Sequence, residues 1–276
     1  MLTMENSDLL RTAYALRDKG EYKKALDIFV GIADQQENPL ERAGMLLNIV
    51  NTLPNSGQLE LAKTQLESVR SLLSSSLARD SDHPYPRYHR YLTILADLED
   101  ARICEAEGKF NDAINKIDRL RTDYKVDLLK TQFQGLYWAI ERERGFALAH
   151  IGSTEAALRI LEQVDRADPH DRFTLYYLAS CYSYAERYAE ARAKIEESIA
   201  LGLPPDWAGR AHFRLGAACY QLQDYKQAKV ELEAAVKTAA PQFIRHEEIW
   251  RWLQYTCISL GLKDEAEHYA KLARPS

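Results

Sequence analysis

One short pattern recurs along this chain and limits the folds that it can adopt. GEYKKALDIF begins at Gly20 and QDYKQAKVEL begins at Gln223; in both, a tyrosine stands three residues before an alanine and a bulky apolar residue four after it. This anchor alanine recurs as Ala25, Ala62, Ala113, Ala157, Ala191, Ala228 and Ala266. Successive anchors are 34–51 residues apart, and four of the six intervals measure 34–38 residues. Self-similarity at this period predicts a stacked-repeat protein rather than a domain with one central core.

Two further positions recur with each anchor alanine. Five residues before it stands a glycine in five repeats, namely Gly20, Gly57, Gly108, Gly152 and Gly261, whereas Glu186 and Gln223 take that place in repeats five and six. Twelve residues before it, five repeats carry a small residue: Ala13, Ala101, Gly145, Ala179 and Gly216. Glycine tolerates the left-handed backbone that ends a helix, and small side chains let two helices approach closely. Each repeat is therefore predicted to be two antiparallel helices that cross at the small residues.

With these features the chain resembles the tetratricopeptide-repeat family. The resemblance extends over residues 6–275 and is most specific in repeat six, HFRLGAACYQLQDYKQAKVELEAA, where the matching positions are Leu215, Gly216, Tyr225, Ala228 and Leu232. It implies an all-α fold, an α-solenoid of about seven antiparallel helix pairs wound as a right-handed superhelix with a concave and a convex face. We expect residues 1–276 to form a single domain of this kind.

Two stretches interrupt the regular spacing. An insertion at about residues 76–92 contains SDHPYPRYHRY, in which Pro84 and Pro86 predict a loop between helices. An extra stretch at about residues 121–136 contains TDYKVDLLKTQFQ. In both, the helical pattern begins ahead of its usual start, so we expect the first helices of repeats three and four to be elongated.

Charge and hydropathy argue against several classes of partner. The 36 basic and 41 acidic side chains are mixed along the whole chain and give a net charge of −5, which disfavours nucleic acid as the main partner. No apolar run approaches the length of a membrane span, and the first residues, MLTMENSDLL, lack the features of a secretory signal. We therefore expect a cytoplasmic protein that binds neither nucleic acid nor membrane.

Cysteines and histidines give no support to a metal, cofactor or catalytic site. The cysteines form no CxxC pair and fall nine or ten residues before their anchors, at positions expected in the core; they are Cys104, Cys181, Cys219 and Cys257. His83 and His89 flank PYPRY, but no ligand spacing is repeated around them. The sequence also lacks a phosphate-binding glycine loop and a nucleophile elbow. We expect buried structural thiols, no metal, no cofactor and no enzymatic activity.

The first helix of each pair carries the positions that the family resemblance implies for ligand binding. These positions are mixed in character in repeats one to three and become aromatic and basic in repeats four to seven. The predicted groove residues are Arg142, Phe146, Tyr176, Tyr177, Tyr184, Arg210, Phe213, Arg214, Arg251, Trp252 and Tyr255. Arginine and aromatic side chains are enriched at recognition surfaces. The alternative is that the rings pack on neighbouring helices and the arginines pair with Glu141, Glu143 and Glu186.

Three functions are compatible with this pattern. The first is a non-enzymatic scaffold or adaptor whose concave groove binds a peptide segment of a partner, most simply an acidic or C-terminal carboxylate segment, because arginines offer planar cationic groups. The second is a regulatory sensor domain that binds a small ligand or a signalling peptide, and the third is a helical domain of an enzyme. The last repeat, with Tyr269 and Leu272, leaves an apolar face open, so we also expect self-association or docking through it.

Overall fold

The chain is built from α-helices joined by short turns. A computed structural model describes residues 4–77, 86–238 and 246–274, and these residues contain no β-strand. By its internal contacts the chain divides into two compact units, Met1–Ile151 and Gly152–Ser276. The prediction of an all-α fold is confirmed.

The described part of the first unit contains eight α-helices and two short 3-10 helices. The α-helices are α1 (Met4–Asp18), α2 (Tyr22–Asp34), α3 (Pro39–Thr52), α4 (Leu59–Leu77), α5 (Pro86–Ala106), α6 (Phe110–Asp123), α7 (Lys125–Leu128) and α8 (Gln134–His150). The 3-10 helices, Pro54–Ser56 and Thr131–Phe133, precede α4 and α8. Helices α1–α2, α3–α4 and α5–α6 form contacting pairs, and each pair also contacts the helix that follows it, so the unit is a stack.

The second unit continues the same pattern. Its described helices are α9 (Thr154–Ala167), α10 (Arg172–Tyr184), α11 (Tyr188–Ala200), α12 (Pro205–Gln221), α13 (Tyr225–Thr238), α14 (His246–Ser259) and α15 (Lys263–Leu272). The pairs α10–α11, α12–α13 and α14–α15 are each in contact, and α11 contacts α12 as α13 contacts α14. Short connections reverse the chain within each pair, which makes the paired helices antiparallel.

The seven anchor alanines are all buried, with exposed fractions between 0 and 7%, and six of them lie in the second helix of a pair described above. The crossing of α12 and α13 shows why the opposite position must be small. A Cβ atom added to Gly216 would stand 2.6 Å from Cγ of Leu232 and 3.2 Å from the carbonyl oxygen of Ala228. Only a hydrogen fits between the two helices at this point, so the pattern of small residues in the sequence sets their separation.

The predicted turns adopt left-handed backbone geometry. Five glycines at the turn position have φ between 74° and 82°: Gly20, Gly57, Gly108, Gly152 and Gly261. The two exceptions, Glu186 and Gln223, take the same conformation with φ of 57° and 62°. Because a side chain makes this conformation unfavourable, the repeat geometry imposes it at those two residues.

The interruptions of the repeat differ from each other. Helix α5 is 21 residues long, and the predicted loop around Pro84 lies outside the described residues. In the second interruption the chain does not simply extend α8 backwards. The backbone of Tyr124 leaves helical geometry (φ −110°, ψ 16°) and that of Lys130 is extended, so the short helix α7 stands between α6 and α8 as a separate element.

Candidate functional site

Helices α10 and α12 of the second unit position most of the predicted groove residues. Helix α10 begins behind Asp171, whose carboxylate accepts hydrogen bonds from the backbone N–H of Phe173 at 3.2 Å and from the hydroxyl of Thr174 at 2.6 Å. Helix α12 begins with Pro205, which fits the first helical turn because no partner is available there for a backbone N–H. The two helices are in contact, so side chains from both meet.

A cluster of aromatic rings lies between these two helices. Trp207 packs edge to face on Tyr176 and Phe173, with ring centroids 5.1 Å apart in both pairs. Tyr177 completes the cluster at 5.9 Å from Tyr176 and 6.0 Å from Trp207. Tyr176 and Tyr177 are buried, so these two rings serve mainly as packing, as the alternative interpretation of the sequence held.

Arg214 is held by tyrosines rather than by acidic residues. Its Nε atom donates a hydrogen bond to the Tyr176 hydroxyl at 2.9 Å, and its guanidinium lies 5.4 Å from the Tyr176 ring and 5.7 Å from the Tyr184 ring. No carboxylate of the described residues forms an ion pair with it. Arg214 is half-buried, whereas Tyr184 is 46% exposed. The cation therefore sits between two rings without a neutralising anion.

Arg210 adds a second cation one turn earlier on α12. Its guanidinium lies 4.5 Å from the Trp207 ring centroid, a cation–π contact. Trp207, Arg210 and Arg214 are spaced three and four residues apart and so share one side of the helix. We call Tyr176, Tyr184, Trp207, Arg210 and Arg214 the arginine–aromatic face.

The remaining predicted residues of the second unit divide between core and surface. Phe213 and Trp252 pack against the apolar cluster that includes Leu232 and Leu253, and Trp252 also meets Tyr220 at 5.4 Å. Arg251 and Tyr255 are exposed on α14. Phe213 and Trp252 therefore contribute to the packing of repeat six on repeat seven, while Arg251 and Tyr255 are available to a ligand.

The two predicted residues of the first unit have intramolecular partners. Arg142 lies 2.8 Å from the carboxylate of Glu143, as the alternative interpretation of the sequence held, and Phe146 packs on Phe110 and His150. Glu143 is shared with Arg102, whose guanidinium lies 2.9 Å from it. Arg142 therefore differs from Arg214, because its charge is already matched by an acidic side chain.

A polar network extends from Glu143 through the first helices of the first unit. Arg102 also contacts Glu99 at 2.5 Å, Glu99 accepts from Asn51 at 3.1 Å, and Asn51 accepts from Arg17 at 3.1 Å. Burial opposes ionisation of Glu143, but Arg102 and Arg142 outweigh it and lower the pKa of that carboxyl. These polar side chains satisfy one another and leave little cationic capacity for a ligand.

Glu105 lies beside this network in a different state. Burial, followed by repulsion from Glu143, raises its pKa well above the ordinary value of a glutamate. Its Oε1 atom is buried and has no hydrogen-bond partner. The carboxyl group of Glu105 therefore ionises less readily than that of its neighbour Glu143.

Trp207 was missed by the sequence analysis. It lies 21 residues before its anchor, upstream of the positions that the family resemblance marks. The spacing of Trp207, Arg210 and Arg214 along one helix face is the sequence feature that would have identified Trp207. That spacing places the Trp207 indole ring against the Arg210 guanidinium.

The thiols and the metal-binding residue types form no reactive centre in the described residues. All four cysteines are buried, and burial raises the pKa of Cys181 to about 12 and that of Cys219 to about 11. His89 is buried with Nε2 3.0 Å from the Leu73 carbonyl oxygen, whereas His83 lies outside the described residues. Across residues 4–77, 86–238 and 246–274 no group of three histidine, cysteine or acidic side chains is arranged to hold a metal ion.

None of the helices in the described ranges combines the length and the apolar character needed to cross a bilayer.

Comparison with known proteins points to one family. The family model of the tetratricopeptide repeat matches residues 209–241, which contain Gly216 and Ala228. No curated protein matches the chain significantly.

Solved structures match more of the chain than the family model does. A hetero-tetramer of the APC/C, Cut9–Hcn1, matches 93% of this chain at 14% identity with a TM-score of 0.64, and this chain spans 44% of that chain. A crystal structure of MamA matches 63% of this chain and 91% of its own at 20% identity, with a TM-score of 0.48. The C-terminal part of a repeat-containing protein from Cytophaga hutchinsonii matches 96% and 93% at 16% identity, with a TM-score of 0.44.

The match to Cut9–Hcn1 supports the fold along nearly the whole chain, and the family model identifies the repeat in its most regular part. Buried anchor alanines, left-handed turns and paired helices recur at the same period outside that match. Residues 209–241 therefore match a tetratricopeptide repeat, and the chain has an all-α solenoid fold.

Proposed function

We propose that this protein is a non-enzymatic scaffold that binds an acidic peptide segment of a partner protein on its arginine–aromatic face. The observation that carries the proposal is Arg214, a half-buried cation with tyrosine partners and no acidic partner among the described residues. Solenoids of this type are protein-interaction scaffolds, and the Cut9–Hcn1 hetero-tetramer is an assembly of two proteins.

The Arg214 guanidinium carries a charge that no carboxylate of the described residues neutralises. A guanidinium that is partly removed from water loses hydration, and a nearby carboxylate normally offsets that loss. In the first unit Glu143 does so for Arg102 and Arg142. On the arginine–aromatic face the corresponding anion would come from the ligand, and a carboxylate would match the planar fork of the guanidinium.

The surrounding aromatic rings make the face suitable for binding a ligand. Tyr184 is 46% exposed, so the face is open to solvent beside Arg214. Trp207 supports Arg210 through its ring and restricts the guanidinium, which lowers the entropy lost when a ligand binds. Arg251 and Tyr255, exposed on α14, offer further cationic and aromatic contacts for a ligand that extends along the unit. An acidic segment with interspersed apolar side chains fits this combination.

Calorimetric titration with synthetic peptides tests the proposal. Aspartate- and glutamate-rich peptides, with the matched asparagine and glutamine peptides as neutral probes, are titrated into wild-type protein and into Arg214→Ala. Loss of one charge-assisted hydrogen bond costs about 1.5–3 kcal/mol, so we expect binding of acidic peptides to weaken about ten- to a hundred-fold. Arg210→Ala/Arg214→Ala should weaken it further, and the neutral peptides should bind poorly to every protein.

Arg192→Ala is the matched control. Arg192 lies in the same unit but already pairs with Glu196 at 2.8 Å and Asp224 at 3.1 Å, so its loss should leave peptide affinity unchanged. If Arg214→Ala lowers the melting temperature while acidic peptides bind as before, the arginine–tyrosine contacts serve only the fold. Equal affinity in wild type and the double variant would exclude this face as the binding site.

A further inference from the structure

The short segment between α6 and α8 presents two aliphatic side chains to solvent. Val126 is 73% exposed and Leu129 is 77% exposed, the highest values among the large apolar residues that the structure describes. They are three residues apart on and just after α7 and so lie on the same side of that turn. We call Val126 and Leu129 the knob.

The knob is held in place by buried and charged contacts beneath it. Leu128 and Phe133 are buried in the core of the first unit. The Tyr124 hydroxyl donates to Asp97 at 2.9 Å, and Arg90 donates to Asp127 at 2.7 Å. Anchoring fixes the two exposed side chains before any partner arrives, and such preorganisation lowers the entropy cost of docking.

The same unit carries an apolar groove of about 990 Å³ between α2 and α4, floored by α3. Its apolar lining includes Leu26, Val30, Leu46, Ile49, Leu53 and Leu61, and we call this surface the groove. Val30 and Leu61 are 44% and 43% exposed although they stand on regular helices. Helix α7 packs against α6 and α8, and the structure gives it no comparable packing against the helices that form the groove, so the knob does not fill the groove of its own chain.

The charges beside the two surfaces include one complementary pair. Lys125 adjoins the knob and Asp27 lines the groove rim, and neither has an ion-pair partner among the described residues. The other charged pairs are already matched internally, since Asp34 pairs with Arg42 at the rim and Asp127 pairs with Arg90 and Lys130 beside the knob. Lys23 adds one further cation to the rim.

We propose that the knob of one molecule docks into the groove of a second copy of this chain, with Lys125 facing Asp27. Each molecule then carries one knob and one groove on different helices, which makes the contact heterologous. A heterologous contact propagates from molecule to molecule as an open chain or closes as a ring. This inference is independent of the proposed peptide binding, because it uses none of the residues of the arginine–aromatic face.

Sedimentation and light scattering over a concentration series test it on the full chain. Wild-type protein should increase in mass with concentration. Val126→Glu/Leu129→Glu removes the knob, and Val30→Glu/Leu61→Glu closes the groove; burial of two such side chains contributes enough that either change should weaken association by at least about fifty-fold. Because all four residues are exposed, helical content measured by circular dichroism should stay at the wild-type value.

Mixing the two variants gives the decisive measurement. The knob variant keeps its groove and the groove variant keeps its knob, so an equimolar mixture should form a one-to-one complex that neither variant forms alone. Arg210→Ala/Arg214→Ala should associate as the wild type does, which separates this contact from peptide binding. A wild-type protein that stays monomeric at high concentration, association that both variants retain, or a mixture that stays monomeric would each overturn the proposal.

Discussion

Glu105 offers a direct thermodynamic test of the first unit. Its buried Oε1 atom has no hydrogen-bond partner, and burial together with repulsion from Glu143 raises the pKa of its carboxyl well above the ordinary value. Arg102 and Arg142 are turned towards Glu143 instead, at 2.9 and 2.8 Å. Glu105→Gln removes the titration and keeps the size of the side chain.

The sign of the effect depends on pH. Below the unfolded pKa, near 4.5, the carboxyl is protonated in the folded and the unfolded chain and contributes no difference. As pH rises through that value the unfolded chain ionises while the folded chain keeps its proton, so the free energy of unfolding falls. Glu105→Gln does not titrate, so it should raise the free energy of unfolding at neutral pH, by about 1.4 kcal/mol for each unit by which the folded pKa exceeds the unfolded one. Near pH 4 the gain should be much smaller.

Urea unfolding followed by circular dichroism, at a series of pH values from about 4 to 8, measures the difference between the two proteins. Glu107→Gln is the matched control two residues away. Hydrogen bonds from Lys63 and Lys109 lower the pKa of Glu107, so its replacement should not stabilise the protein at neutral pH. A gain for Glu105→Gln that is equal at all pH values, or a loss at neutral pH, would refute the conclusion that burial raises the pKa of Glu105.

Three further predictions concern packing, thiol chemistry and association. Gly216→Ala should lower the free energy of unfolding by about 1–3 kcal/mol in thermal or urea unfolding, because its Cβ would stand 2.6 Å from Cγ of Leu232; an unchanged stability would mean that α12 and α13 can separate freely. Cys181 and Cys219, whose pKa values are raised by burial to about 12 and 11, should react with an alkylating reagent far more slowly in folded than in urea-unfolded protein, and equal rates would contradict their burial. Self-association through the last repeat predicts that replacing the 59% exposed Ile258 by glutamate lowers the mass measured by light scattering, and an unchanged mass would remove that face.

Much of the fold could be predicted because each repeat carries the same types of residue at its helix crossing and at its turn. Ala113 and Ala228 are buried at helix crossings, and Gly20 and Gly108 end helices in left-handed geometry, as their positions predicted. The extra stretch of repeat four was harder. Its helical periodicity predicted an elongated first helix, but the backbone at Tyr124 breaks the helix, and a periodic pattern does not show where a chain leaves helical geometry.

The candidate site depends on side-chain partners, which a repeat pattern does not specify. Arg142 and Arg214 fall at equivalent kinds of position, yet Glu143 lies next to the first and tyrosines surround the second. Phe213, one residue from Arg214, points into the contact with α14 because a helix turns by about 100° per residue. These differences come from the neighbouring helix that each side chain meets, and that information is absent from the residue's own repeat.

The left-handed turns at Glu186 and Gln223 have a consequence for motion in the second unit. A side chain makes this backbone conformation unfavourable by about 1–2 kcal/mol, and the two turns join α10 to α11 and α12 to α13. In a repeat protein such local strain lowers the free energy needed to open the hairpin that contains it, rather than being spread over the chain. Amide protons of these hairpins therefore exchange with solvent through smaller openings than glycine turns would allow, and the helices that carry Arg210 and Arg214 gain a local freedom to adjust to what they bind.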